Sequence, residues 1–145
     1  MPNVSFYVLE SSNINEFYKT IVQLTIKAHE AENQVLIHSN HPQILQPIDD
    51  YLWSFSETSF IPHVLVSSDD EVDDIDPIIL ASFEPSSPQK DLLIQLADQV
   101  PEHFNDYNRI IEILYNEPEY LAKGRERFKF YRKHGIEPKT IKLAR

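Results

Sequence analysis

A basic and aromatic segment near the end of the chain carries the residues best suited to hold a charged ligand. Residues three and four positions apart share one face of an α-helix. In a helix this spacing groups one aromatic residue with three cations: Arg125, Phe128, Lys129 and Arg132. An arginine holds a carboxylate through two hydrogen bonds, and an aromatic ring can form the wall of a pocket. The pattern indicates a site for a peptide whose carboxylate lies next to an apolar side chain.

The same segment also has an ordinary interpretation. Phe128, Phe130 and Tyr131 are large apolar residues that a core would accept, and the cations between them would then only be solvated. The spacing leaves both interpretations open.

A second aromatic segment surrounds the only tryptophan of the chain, Trp53. It continues through Phe55 and Phe60 to Pro62 and His63. Tryptophan and phenylalanine at the end of a helix often anchor a protein partner, but equally often they close the end of a sheet. The sequence therefore offers a candidate partner surface here without deciding between the two roles.

The residues needed for most familiar enzyme chemistry are missing. The chain has only two glycines, Gly124 and Gly135, and no cysteine. A phosphate-binding loop needs several glycines, and the G-x-S-x-G nucleophile motif is absent as well. His38-x-x-His41 does not define three metal ligands, even with His63 added. The sequence thus favours a protein without catalytic activity, cofactor or metal of its own.

Charge is distributed unevenly along the chain. Residues 1–120 hold 4 Lys/Arg and 21 Asp/Glu, whereas residues 121–145 hold 9 Lys/Arg and 2 Asp/Glu. DNA phosphates repel a net-acidic protein, so no direct high-affinity binding to nucleic acid is expected. A basic end on an acidic body suits an acidic peptide better than a duplex, although a solvated, lysine-rich helix would look the same.

These candidate residues must be positioned by an alternation of strands and helices. Runs of β-branched and aromatic residues predict strands, at residues 4–9, 34–38, 63–66, 77–81, 91–96 and 108–114. Helical spacing predicts helices from a cap at Asn13 or Asn15 to about residue 32, after Pro42, and from about 118 to 134 with Gly135 at its end. Residues 67–76, with six Asp/Glu, are predicted to be an exposed, mobile loop, and 136–145 a short polar end. Alternating strands and helices predict a mainly parallel α/β sheet.

Length and composition predict one domain over residues 1–145. The N-terminal residues have no basic region and too short an apolar run for a signal peptide. No stretch is long and apolar enough to span a membrane. We therefore expect a cytoplasmic protein with no membrane partner.

Three segments, in chain order, resemble the chi subunit family of bacterial DNA polymerase III. They are residues 4–9, residues 52–63 with Trp53 followed by Phe60-Ile61-Pro62-His63, and residues 125–132. The middle segment is the most specific, because this combination is rare by chance. Residues 67–76 and much of 84–114 match only loosely.

The resemblance implies a fold, two partners and two sites. The fold would be a three-layer α/β sheet, Rossmann-like but without a nucleotide-binding loop. The psi subunit would bind at Trp53, Phe60 and Pro62. The acidic C-terminal tail of single-stranded-DNA-binding protein, which ends in an Asp-Asp-Ile-Pro-Phe type sequence, would bind at Arg125, Phe128, Lys129 and Arg132. The chain would bridge these partners in the clamp-loader complex during DNA replication.

Two positions depart from the family pattern. Phe128 replaces a common tyrosine, which keeps an apolar wall but removes a hydroxyl. Leu121 replaces an expected lysine, which removes a cation from the rim of the site. Lys123, Arg132 or a basic residue nearer the C-terminus is the candidate replacement, and a rim charge mainly affects on-rate and salt dependence.

Two alternatives remain beside this interpretation. The aromatic surface around Trp53 would equally suit a repair helicase in place of psi. A small α/β enzyme is the other alternative, against which the missing glycine loop and nucleophile motif speak.

Overall fold

A computed structural model of the chain describes residues 1–54, 61–73, 75–85 and 91–145. Within these residues, strands and helices alternate along most of the chain. The strands are β1 (Asn3–Leu9), β2 (Val35–His38), β3 (Val64–Val66), β4 (Ile78–Ala81), β5 (Leu92–Gln95), β6 (Arg109–Leu114) and β7 (Lys139–Leu143). The helices are α1 (Ile14–Glu30), α2 (Pro42–Ser54) and α3 (Pro118–Lys133).

The described strands form one sheet in the order β3-β4-β2-β5-β6-β1-β7, and every neighbouring pair is parallel. Strand side chains alternate between the two faces. Val35 and Ile37 pack with α1 and α2, whereas Leu36 packs in the cluster that contains Tyr131 of α3. The sheet therefore lies between two helical layers, which confirms the predicted three-layer α/β fold.

The helix ends follow from local chemistry. Asn13 caps α1, since its side-chain oxygen accepts a hydrogen bond of 2.8 Å from the backbone N–H of Asn15. The chain leaves α3 through Gly135, whose φ of 80° is favourable for glycine. Both features confirm the predicted helix limits.

The six predicted strands are all present, and the described residues form a further strand, β7, that the residue pattern does not predict. Residues 136–145 were predicted to be only a short polar end, and this was incomplete. β7 is an edge strand that pairs with β1 from Ser5–Lys139 to Leu9–Leu143. Its residues are exposed or half-buried, so the strand lacks the continuous apolar run that marks the buried strands.

The described residues of the acidic segment, 67–73 and 75–76, are exposed or half-buried, in line with the predicted exposed loop. Carboxylates of the segment accept hydrogen bonds from its own backbone, and its mobility stays a prediction. Asp69–Glu71 form a short 3₁₀ turn. The Glu71 carboxylate accepts hydrogen bonds from the Ser67 hydroxyl at 2.8 Å and the Ser67 backbone N–H at 3.1 Å. These bonds lower the pKa of Glu71.

Across the described ranges, no helix is both long and apolar enough to cross a membrane.

Candidate functional site

A buried polar network fixes α3 on the sheet. Arg127 Nε donates to Glu112 Oε1 at 2.9 Å, and the Tyr131 hydroxyl donates to Glu112 Oε2 at 3.0 Å. Gln95 Nε2 lies 3.4 Å from the same Oε2 atom, and Arg127 Nη1 also donates to the Asp98 carbonyl at 3.3 Å. Glu112 is 0% and Arg127 5% exposed. The network joins α3 to β5 and β6 from inside the protein.

Burial controls the protonation of this network. It raises the pKa of Glu112, and the charge of Arg127 and the hydrogen bonds from Tyr131 and Gln95 oppose that shift. Burial and the neighbouring Glu112 raise the pKa of Tyr131 well above its usual value. Tyr131 therefore keeps its proton and acts as a hydrogen-bond donor.

The residue pattern of the sequence does not predict this network. Its one visible signal was Glu112, a charged residue within the apolar strand run Ile110-Ile111-Glu112-Ile113-Leu114. A charged residue inside a buried strand needs a partner, but the sequence did not identify Arg127 as that partner.

Gly124 brings α3 close to β6. A Cβ atom at this position would lie only 2.6 Å from Leu114 Cδ1. Because glycine has no side chain, α3 packs directly on Leu114. This close packing sets the distance between the sheet and the neighbouring residues of α3.

Phe128 is partly packed against the sheet and partly accessible. Its ring centroid lies 5.2 Å from that of Phe6 on β1, and the residue is half-buried. The neighbouring Tyr131 is fully buried, and Phe130 packs against Phe104 with 5.4 Å between ring centroids. Tyr131 is therefore a core residue, whereas Phe128 is a supported ring with an accessible side.

The three predicted cations are exposed, but they differ in their partners. Lys129 Nζ lies 3.5 Å from Glu126 Oε1, and Arg132 Nε lies 3.7 Å from Glu137 Oε2. No carboxylate within the described ranges pairs with Arg125. Exposed ion pairs contribute little, so Lys129 and Arg132 can exchange their partners for a ligand, while Arg125 needs no exchange.

Two flanks of α3 carry different residues. Arg127 and Lys123 reach toward Asp98 beside β5. Phe128 instead contacts Phe6 of β1, and Arg125 lies three residues before it on the same helical face. The flank toward β1 and β7 therefore presents a guanidinium without a carboxylate partner among the described residues, beside an aromatic ring packed on Phe6. This pair suits a carboxylate next to an apolar group.

The second candidate surface lies around Trp53, at the end of α2. Trp53 is 57% exposed, and its ring centroid lies 4.4 Å from that of His63. The His63 side chain is fully buried, with Nδ1 2.7 Å from the Ile61 carbonyl oxygen. His63 Nε2 lies 3.2 Å from Asp49 Oδ1, without the alignment of a hydrogen bond. The exposed Trp53 ring thus packs against the buried His63 ring.

Of the other two residues predicted for this surface, only Pro62 is among the described residues. It is half-buried beside His63. Phe60 lies outside the described residues, so its part in the surface stays a prediction. The Trp53 surface lies on the α1–α2 side of the sheet near β3 and β4, whereas α3 lies on the other side over β6 and β1. The two candidate surfaces are therefore separate.

The crevice at the carboxyl ends of the strands, where α/β proteins commonly bind ligands, is bridged by Asp98. Asn40 Nδ2 donates to Asp98 at 3.2 Å, His41 Nε2 lies 3.0 Å away, and Lys123 Nζ 3.5 Å away. Burial by itself would raise the pKa of Asp98, but these three groups hold it below its usual value. In the described part of the chain, no three His, Cys, Asp or Glu residues are grouped to hold a metal ion.

Comparison with known proteins decides the family. Residues 1–139 match the family described as "DNA polymerase III chi subunit, HolC". The chain belongs to this chi subunit family. It is 32% identical to "DNA polymerase III subunit chi" of Pseudomonas aeruginosa, with 100% of this chain and 99% of the relative covered. It is 23% identical to the subunit chi of Escherichia coli, with 97% of each chain covered, and 25% identical to that of Haemophilus influenzae, with 90% of each covered.

The chi family match takes in the Trp53 surface and all of α3, including Arg125 and Phe128. It ends at residue 139, the first residue of β7. Most of the edge strand of this chi-family chain therefore lies beyond the matched residues.

Proposed function

We propose that this chain is a non-catalytic subunit of the DNA polymerase III holoenzyme. It bridges the psi subunit, bound at the Trp53 surface, to the C-terminal tail of single-stranded-DNA-binding protein, bound at α3. The names of its relatives support the place in DNA polymerase III. The separation of its two surfaces supports a bridge, because both partners can bind at once.

One observation carries the tail-binding part of the proposal. Arg125 is exposed, has no carboxylate partner in the described ranges, and stands one helical turn from the half-buried ring of Phe128. A tail that ends in Asp-Asp-Ile-Pro-Phe would place its carboxylate on Arg125 and its last ring on Phe128. Its aspartates would reach Lys129 and Arg132, which then release Glu126 and Glu137.

The proposed mechanism is tethering by weak contacts. A single tail bound at micromolar affinity, about −8 kcal/mol, is sufficient, because many tails on coated DNA raise the effective concentration of the polymerase. The cations are exposed, so salt screens them over a distance of about 10 Å at 0.1 M. Binding should therefore weaken as salt rises.

Calorimetric titration with three synthetic peptides tests this function. We expect micromolar binding of the intact tail peptide at low salt. Amidation of its C-terminus removes the charge for Arg125, and omission of the last Phe removes the group for Phe128. Each change should weaken binding by about tenfold or more. No binding of the intact peptide, or equal binding of all three, would refute tail recognition.

The Trp53 surface is tested separately. Trp53→Ala should weaken psi binding by about 30-fold or more, the effect of a hot-spot residue. The free energy of unfolding should change by less than about 1 kcal/mol, because the side chain is largely exposed. Ile14→Ala is the control, since Ile14 is another exposed large apolar residue, 43% accessible. If Trp53→Ala binds psi normally but loses a repair helicase, the helicase is the partner of this surface.

A further inference from the structure

Beside α3, the edge of the sheet is left uncovered at Thr140 and Lys142 of β7, and this open strip is called the groove below. Parallel strands place paired residues side by side on the same face of the sheet. Thr140 pairs with Phe6 and Lys142 with Val8, so both β7 residues point to the face on which α3 lies. α3 covers β6 and β1 but leaves Thr140 and Lys142 exposed. The ring of Phe128, which packs on Phe6, forms the helical wall of this groove.

Lys142 and Arg125 lie at the same level of this groove. Gly124 rests directly on Leu114. Leu114 pairs with Val8 of β1, and Val8 pairs with Lys142 of β7. These three strand residues form one row across the sheet beneath Gly124. Arg125 follows Gly124 on the flank of α3 that faces β7, so the two cations stand on opposite sides of the groove.

The environment of these cations fits a single small anion. Both are exposed, and no carboxylate within the described residues pairs with either of them. The groove also contains two half-buried apolar residues, Val8 on the sheet and Phe128 on the helix. A carboxylate attached to an apolar side chain would meet one cation from the helix and one from the strand.

The geometry points to Lys142 as the second cation that binds the terminal carboxylate of the tail, opposite Arg125. This inference rests on the proposed function and names one more residue of the same site. It also supplies a replacement for the cation that Leu121 lacks, but from the edge strand. Lys142 would act on the terminal carboxylate, whereas Lys129 and Arg132 attract the aspartates further back.

Lys139 offers a matched control on the same strand. It is exposed and carries the same charge. Lys139 pairs with Ser5, whose alternating neighbours Tyr7 and Leu9 pack on the α1 side of the sheet. Its side chain therefore starts from the opposite face of β7. Lys139→Ala therefore removes the same charge as Lys142→Ala but from a side chain that does not line the groove.

The experiment is a titration of the full chain, Lys142→Ala and Lys139→Ala with free-carboxylate and amidated tail peptides. Lys142→Ala should weaken binding of the free-carboxylate peptide by about fivefold. Lys139→Ala should change it less than twofold, as expected of a general field effect. The amidated peptide should bind the full chain and Lys142→Ala with the same reduced affinity.

The outcomes separate this inference from the proposed function. If the full chain binds the tail and Arg125→Ala does not, but Lys142→Ala behaves like Lys139→Ala, the role of Lys142 is wrong and tail binding stands. If Lys142→Ala weakens the amidated peptide as much as the free one, Lys142 acts on the aspartates instead, and the inference is overturned. If the full chain binds neither peptide, the proposed function and this inference both fail.

Discussion

Replacing Arg127 by alanine should lower the free energy of unfolding by about 3–5 kcal/mol, the usual cost of removing one partner from a buried ion pair. The reason is Glu112, which is 0% exposed and would lose its only charged partner in the described network. Tyr131 and Gln95 would still contact the carboxyl group, but neither carries a compensating charge. Urea unfolding followed by circular dichroism measures the change.

Arg125→Ala is the matched control for this prediction. It removes the same residue type from the same helix two positions away, but from an exposed site. Its free energy of unfolding should stay within about 0.5 kcal/mol of the parent chain. If Arg127→Ala is no more destabilising than Arg125→Ala, the buried network does not hold α3 in place, and this explanation of the site is wrong.

For tail binding, the order is reversed, and the exposed Arg125 should matter more than the buried Arg127. Arg125→Ala should reduce the affinity for the free-carboxylate tail peptide by about 10–100-fold, because hydrogen bonds to charged groups are worth about 1.5–3 kcal/mol. Arg125→Lys should fall in between, since an ammonium group cannot form the two parallel bonds of a guanidinium. Calorimetric titration at low salt measures both variants.

Lys133→Ala controls for the loss of charge. Lys133 is exposed on the same helix, and its helical position points away from the Phe128 flank. The affinity of Lys133→Ala for the free-carboxylate tail peptide should stay within about twofold of that of the parent chain at low salt. Equal losses in Arg125→Ala and Lys133→Ala would mean that the helix attracts the tail only by net charge.

The arrangement of strands and helices was largely predictable, because buried strands and amphipathic helices carry strong patterns. Apolar runs such as Ile110 to Leu114 indicate a buried strand whatever its neighbours are. β7 carries no such run, because an edge strand buries little of its surface. Its place in the fold depends on backbone pairing with β1, which leaves little trace in residue types.

Spacing along α3 predicted which candidate residues share a helical face, but not which of them are exposed. Their role in tail binding stays a prediction. Helical spacing grouped Arg125 with Phe128, and the structure places both on one flank of α3. Spacing did not distinguish the exposed Arg125 from the buried Arg127, two residues later. That difference depends on Glu112 of β6, which pairs with Arg127, and on the close packing of Gly124 against Leu114. Long-range pairs of this kind are set by tertiary structure and not by local sequence.

The most direct test of the central claim is residue-by-residue mapping of tail binding by nuclear magnetic resonance. The isotope-labelled chain is titrated with the free-carboxylate tail peptide. We predict that amide signals shift most on the outer flank of α3 around Arg125 and Phe128, with smaller shifts on β7 and none near Trp53. Shifts concentrated around Trp53, or no shifts at millimolar peptide, would contradict the assignment of tail binding to α3.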